Sequence, residues 1–125
     1  MAFQASNEDG NTIQIDASSA AGGEGLGMRP MELLASSLAS CTSIDVLMIL
    51  KKQRIELSHF EVNIQANRKD AVPASFESIH LIFNISKSDP KVHVEKAVEL
   101  SVKKYCSVAA SLSPEIAISY EVNPD

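Results

Sequence analysis

Two thiols, Cys41 and Cys106, are the side chains in this 125-residue chain best suited to nucleophilic or redox chemistry. Cys41 lies ten residues inside the run MELLASSLASCTSIDVLMIL, and Cys106 follows 65 positions later in VEKAVELSVKKYCSVAASL. A thiol reacts as its thiolate. At a pKa near 8.5 only about 3% is ionised at pH 7, and lowering the pKa to about 6 takes roughly 3 kcal/mol of local stabilisation. The dipole of a helix beginning at Pro30 cannot supply it, because Cys41 lies well beyond the first turn, where the effect fades. Asp45, one turn further on and on nearly the same face, would oppose a thiolate if left unpaired, so a nearby arginine or lysine is required. Cys106 falls at a helix junction, where free N–H groups could activate a thiol. For each cysteine two readings stay open. It is a buried small hydrophobe, or it is a reactive thiol, and the two together could form a redox couple.

Arg29 and Glu32 stand at the mouth of the helix that carries Cys41. Glu32 precedes Cys41 by nine residues, about 13.5 Å of rise and about 900° of rotation, so it faces the opposite side and could act on the thiol only across an interface. Its plainer role is a favourable first-turn charge. His59, His80 and His93 lack ligand spacing, so no metal is expected. GGEGLG is not a phosphate-cradling pattern, and no nucleotide cofactor is expected.

The elements that must position these groups follow from pattern. Thr12 to Asp16 alternates as a short strand, and DASSAAGGEGLG (Asp16 to Gly27) reads as a mobile loop. Pro30 at a first helical position and Glu32 in the first turn open a helix that runs to about Arg54, with Lys51, Lys52 and Arg54 at its negative end. About thirteen of the twenty residues from Met31 to Leu50 are apolar and they surround the axis, as in a helix buried on all sides. So small a chain can hardly enclose it, and a second subunit is expected to cover part of it. His59 to Asn67 and Phe76 to Ser86 alternate strictly and form an antiparallel hairpin around Pro73. Asp89 is expected to cap a second helix with Pro90 at its first position. Val94, Val98, Ser101 and Tyr105 make its core stripe, and the helix breaks near Cys106. Ile116 to Val122 is a last strand. The order β-α-β-β-α-β gives an α+β domain spanning residues 1–125.

Composition narrows the function. A formal charge of −5 and a pI near 5.1 offer no basic surface for nucleic acid. The N-terminal MAFQASNEDGN has no lysine or arginine before an apolar stretch, so no secretory leader is expected and the cytoplasm is the expected location. The Met31 to Leu50 run has the length of a membrane span, yet Glu32, Asp45 and several serines would be costly in lipid, and a buried helix is the expected form.

The phrase GMRPMELLASSLASCTSIDVLMILKK, with the second cysteine in VEKAVELSVKKYCSVAASL, resembles the OsmC/Ohr family, specifically its shorter OsmC-like branch, from about Ile13 to Val122. The resemblance implies an OsmC-like fold with the long central helix buried in an intertwined homodimer. Better-studied branches are thiol peroxidases that reduce organic hydroperoxides. By position, Cys41 would be the peroxidatic thiol and Cys106 the resolving one, with a dithiol as reductant and no cofactor. The chain departs from those branches in two places. Met31 stands where they carry a glutamate, with Glu32 one place later. No arginine precedes Arg29, which would have to serve from the partner subunit. The alternative is a non-catalytic dimer of the same fold that binds a small apolar ligand or a protein partner.

Overall fold

The computed structural model describes all residues, Met1–Asp125, as two compact units, Met1–Ser36 and Ser37–Asp125, with one helix passing from the first into the second. In the first unit, β1 (Phe3–Ser6) and β2 (Thr12–Ile15) form an antiparallel hairpin in which Phe3 faces Ile15. The turn closes on Asn7, whose Oδ1 accepts the N–H groups of Asp9 and Asn11 at 3.0 Å each. Gly10 sits in the left-handed region, φ +84°, where a side chain is strained. β1 is an addition to the expected order. Both faces of this strand are exposed in the chain, so it carries no inside–outside alternation to betray it.

The segment from Asp16 to Gly27, expected to be mobile, is organised around one buried carboxylate. Asp16 accepts N–H bonds from Ala17 (2.7 Å), Glu24 (2.9 Å) and Leu26 (3.1 Å), and a 3-10 turn spans Ser19–Ala21. The bonds from Glu24 and Leu26 hold the Asp16 carboxyl below the usual carboxylate range. Gly23 is required by this fold, since a Cβ there would collide with the Ala17 carbonyl. Met28 then bridges in parallel to Ile15, delivering the chain to the helix.

That helix, α1 (Pro30–Lys52), starts at the expected proline and ends two residues before the expected Arg54, which adopts φ +59° beyond its end. Leu38, Thr42, Val46 and Leu50, four residues apart, are completely buried, with Ala39 beside them. Ile44, Leu47 and Met48 are exposed, so the all-round burial suggested by the sequence is not supplied by this chain alone. By length and composition α1 could cross a membrane, the same test a core helix of a soluble protein passes.

In the second unit β3 (Phe60–Arg68), β4 (Phe76–Ile85) and β5 (Ala117–Pro124) form a sheet in the order β3-β4-β5, antiparallel on one side of β4 and parallel on the other. The parallel pairing demands a crossover, which α2 (Lys91–Leu100) provides. Ile79, Leu81, Phe83 and Ile85 point one way from β4 into the core, and Phe60 stacks on Phe83 at 5.8 Å. Val94, Val98 and Ser101 are buried as the stripe predicts, with Ala97 of α2 buried beside them.

Asp89 does not cap α2. Pro90 occupies the cap position without a side-chain cap bond, and Asp89 instead accepts the N–H groups of Ser58 (2.8 Å), Ser86 (2.9 Å) and His59 (3.3 Å). Three backbone donors from two separate segments satisfy this buried carboxylate more fully than one helix end could. Past α2 the coil widens into a π-helical turn, Ser101–Tyr105, before α3 (Ser107–Ser111). Its extra residue changes the expected stripe. Tyr105 is half-exposed at 52%, while Cys106 is 97% buried in its stead, with an accessibility of 3%.

Candidate functional site

The site is built where α1 meets the end of the α2 crossover. Cys41, half-buried, projects from the middle of α1, and Cys106 is the residue at which the π turn stops, with extended backbone (φ −72°, ψ 108°). The two thiols are close enough for Cys41 to act on the proton of Cys106, and no disulfide joins them. The fold of a single chain thus places Cys106 beside the Cys41–Thr42 stretch of α1.

Cys106 occupies the cap position of α3. Its sulfur accepts the Ala109 N–H at 3.3 Å, and the Thr42 hydroxyl approaches at 3.8 Å from α1. Burial pushes the Cys106 thiol up, opposed by the Ala109 N–H and reinforced by the neighbouring Cys41 thiol. Thus the junction N–H expected to activate this thiol is present, but desolvation outweighs it. Cys106 is held protonated and sheltered from solvent, while Cys41 is half-buried.

Asp45 is not left unpaired beside Cys41. Its Oδ2 accepts the hydroxyl of Ser101 at 2.7 Å, and Ser101 is completely buried. Neither Ser101 nor Thr42 was singled out in the sequence as part of a site. The available signal was a small polar residue on the apolar stripe of α2, which reads equally well as packing.

Arg29 and Glu32 lie in the first unit, at the start of α1. The backbone N–H of Arg29 donates to Glu32 Oε1 at 2.9 Å, so Glu32 satisfies an orphan donor of the helix terminus as one half of a capping box. This is the plainer of the two roles open to it. His80, on the other face of β4, hydrogen-bonds Ser119 Oγ (2.7 Å) and Glu121 Oε1 (3.1 Å) across to β5.

Comparison with known proteins places this geometry. The family model of OsmC-like proteins matches residues 22–121. Protein YhfA of Escherichia coli K12 is 40% identical over 96 residues, covering 74% of this chain and 72% of its own. Among solved structures, an Aquifex aeolicus VF5 protein superposes with a TM-score of 0.78 at 33% identity, over 99% of this chain and 89% of that one. The OsmC organic hydroperoxide resistance protein of Legionella pneumophila shares the fold, with a TM-score of 0.72 at 17% identity over 98% and 95% of the two chains. With 100 consecutive residues matched and both cysteine segments inside them, this chain belongs to the OsmC-like protein family.

Proposed function

We propose that the protein is a cytosolic thiol-dependent reductase of organic hydroperoxides, working as a homodimer. The observation that carries this reading is the neighbouring pair of free thiols with unequal exposure, Cys41 half-buried and Cys106 buried. The Legionella protein of the same fold is an organic hydroperoxide resistance protein, which points to the same oxidant class.

In this reading the Cys41 thiolate attacks a peroxide oxygen. The O–O bond breaks, the alkoxide leaves and takes a proton as an alcohol, and Cys41 becomes a sulfenic acid. Cys106 then attacks the Cys41 sulfur as it loses its own proton, the hydroxyl leaves as water, and a disulfide closes before further oxidation can occur. An external dithiol returns both cysteines to thiols by two exchanges. The exposed Ile44, Leu47 and Met48 of α1 supply the apolar face that a second copy would cover. Arg29 of that copy is the candidate cation for the Cys41 thiolate.

The test is intact mass after mixing reduced protein with a slight excess of cumene hydroperoxide. The expected result is rapid loss of two hydrogens, replaced in Cys106→Ser by one added oxygen on Cys41 and abolished in Cys41→Ser. No mass change over many minutes would overturn the peroxidase reading.

A second reading, a non-catalytic dimer binding a small apolar molecule, draws on an open groove of about 550 Å³ lined by Asp45, Met48, Ile49, Lys52, Leu100 and Tyr105. It predicts two sluggish cysteines in a native thiol titration, together with ligand-dependent thermal stabilisation.

A further inference from the structure

Two side-chain pairs join α1 to the end of the α2 crossover. Cys106 lies beside Cys41, its sulfur 3.8 Å from the hydroxyl of the adjacent Thr42, and Asp45 meets Ser101 at 2.7 Å. On α1 the two partners are four residues apart, about 6 Å of rise and about 40° of net rotation, so they are successive rungs on one face. On the other side they are five residues apart. An α-helical turn there would stack Tyr105 over Ser101. The π turn inserts one more residue, and the Cys106 N–H closes it on the Ser101 carbonyl at 2.7 Å. Ser101 therefore acts at both ends of this arrangement. Its hydroxyl is tied to Asp45, and its carbonyl holds the backbone of Cys106. Its own N–H is bonded back to Ala97 and Val98, so it has little freedom to move independently.

Asp45 is half-buried at the edge of the groove it shares with Met48 and Lys52, so its carboxylate keeps part of its hydration while it accepts the Ser101 hydroxyl. What it supplies is a charge-assisted hydrogen bond with a defined direction, anchoring the residue from which the resolving thiol is suspended. We infer that Asp45 and Ser101 form a positioning clamp that holds Cys106 against Cys41 and so promotes closure of the disulfide, without contributing to attack on the oxidant. Neither residue touches the reacting sulfurs through the clamp. The inference rests on the redox reading of the cysteine pair, but not on the identity of the oxidant.

The balance is that of a thiol–disulfide exchange. With oxidised glutathione, a cysteine thiolate displaces one glutathione thiolate to give a mixed disulfide. The second cysteine, losing its proton, displaces the other, leaving a Cys41–Cys106 disulfide and two reduced glutathiones. Closeness of the two protein thiols raises the equilibrium constant of this reaction, because their effective concentration enters it directly.

The experiment equilibrates the full-length protein with glutathione redox buffers and reads the Cys41–Cys106 disulfide by intact mass. Ser101→Ala and Asp45→Ala are each expected to lower the equilibrium constant for closure about tenfold, which is about 30 mV in potential. Asp45→Asn, which keeps an acceptor oxygen for Ser101, is expected to stay within about threefold of the unmodified protein. A merely structural role would lower the melting temperature of the alanine variants without this selective shift and without the rescue. In a parallel measurement with cumene hydroperoxide, sulfenic acid is expected to accumulate on Cys41 in Asp45→Ala, which removes the clamp without leaving an unpaired carboxylate, and to be trapped there by dimedone. Unaltered closure in both alanine variants overturns the clamp, as does an unmodified protein that forms no Cys41–Cys106 disulfide in oxidised glutathione. Inertness to the hydroperoxide alone overturns the peroxidase reading and leaves the glutathione result to decide the clamp.

Discussion

At the scale of single residues, the surroundings of Cys106 bear directly on its proton. Cys106 lies among apolar side chains, and burial there disfavours the thiolate more than the Ala109 N–H favours it. This has a consequence for stability. A thiol whose pKa is raised by folding keeps its proton in the native state while the unfolded chain releases it at the ordinary value of about 8.5 to 9, so stability falls as pH rises above that range. Urea unfolding of the reduced protein should therefore show a declining midpoint from about pH 8.5 upward, with a shallower decline in Cys106→Ala. In the same experiment at acid pH, the reverse sign applies to Asp16. Folding depresses its pKa, so its contribution is complete above the usual carboxylate range and is lost as pH falls through the depressed value. Asp16→Ala should release the segment from Asp16 to Gly27, detected as new proteolytic cleavage between residues 17 and 27 under native conditions.

At the scale of elements, α1 carries two kinds of apolar position. Leu50 has no accessible surface and Leu47 is 46% exposed, although the two are separated by less than one turn. Leu50→Ala should cost about 2–5 kcal/mol by denaturant unfolding, because it removes buried methyl groups and leaves a cavity among well-packed neighbours. Leu47→Ala should cost under about 0.5 kcal/mol in a monomeric chain. A larger cost that grows with protein concentration would place Leu47 in a subunit interface. The helix was legible in the sequence because Pro30, Glu32 and the terminal lysines mark its ends, and it runs over Pro30–Lys52. Which of its apolar residues face inward was not legible. Thirteen apolar residues distributed all round a helix carry no moment to indicate a direction, so only the neighbours decide it. The stripe on α2 shows the complementary case. Periodicity found Val94 and Val98 but misplaced the next turn, because a 3.6-residue repeat cannot anticipate a five-residue π turn that exchanges Tyr105 for Cys106.

At the scale of the whole molecule, a chain of 125 residues exposes Ile44, Leu47 and Met48 on its central helix, and Leu100 and Tyr105 at the end of the crossover. A soluble protein gains by covering such a surface, and the proposed homodimer does so. Light scattering should give twice the monomer mass of 13.5 kDa, and Ile44→Lys with Met48→Glu should reduce it to the monomer. Retention of the dimer by that double variant would move the interface elsewhere. If Arg29 of the partner supports the Cys41 thiolate, the same double variant should also slow the first oxidation by hydroperoxide, since a monomer has no partner to supply it.

By itself the sequence determined most of the elements and the family, though not β1 or the π turn. Alternation specified the β3–β4 pair, helix-end residues specified α1, and the contexts of Cys41 and Cys106 carried the resemblance that the family match over residues 22–121 establishes. These are local signals, set by backbone sterics, hydrogen-bonding needs at helix ends and side-chain period. Tertiary structure alone decided that the two thiols are neighbours, that Cys106 is the buried one, that Asp45 is paired with Ser101, and that Asp89 ties Ser58, His59 and Ser86 together where a helix cap was expected. Apart from the bond between Ser86 and Asp89, three residues apart, each of those contacts joins residues distant in the chain. A hydrogen bond or a desolvation cost depends on distance in space, and spacing along a sequence does not contain that distance until the chain has folded.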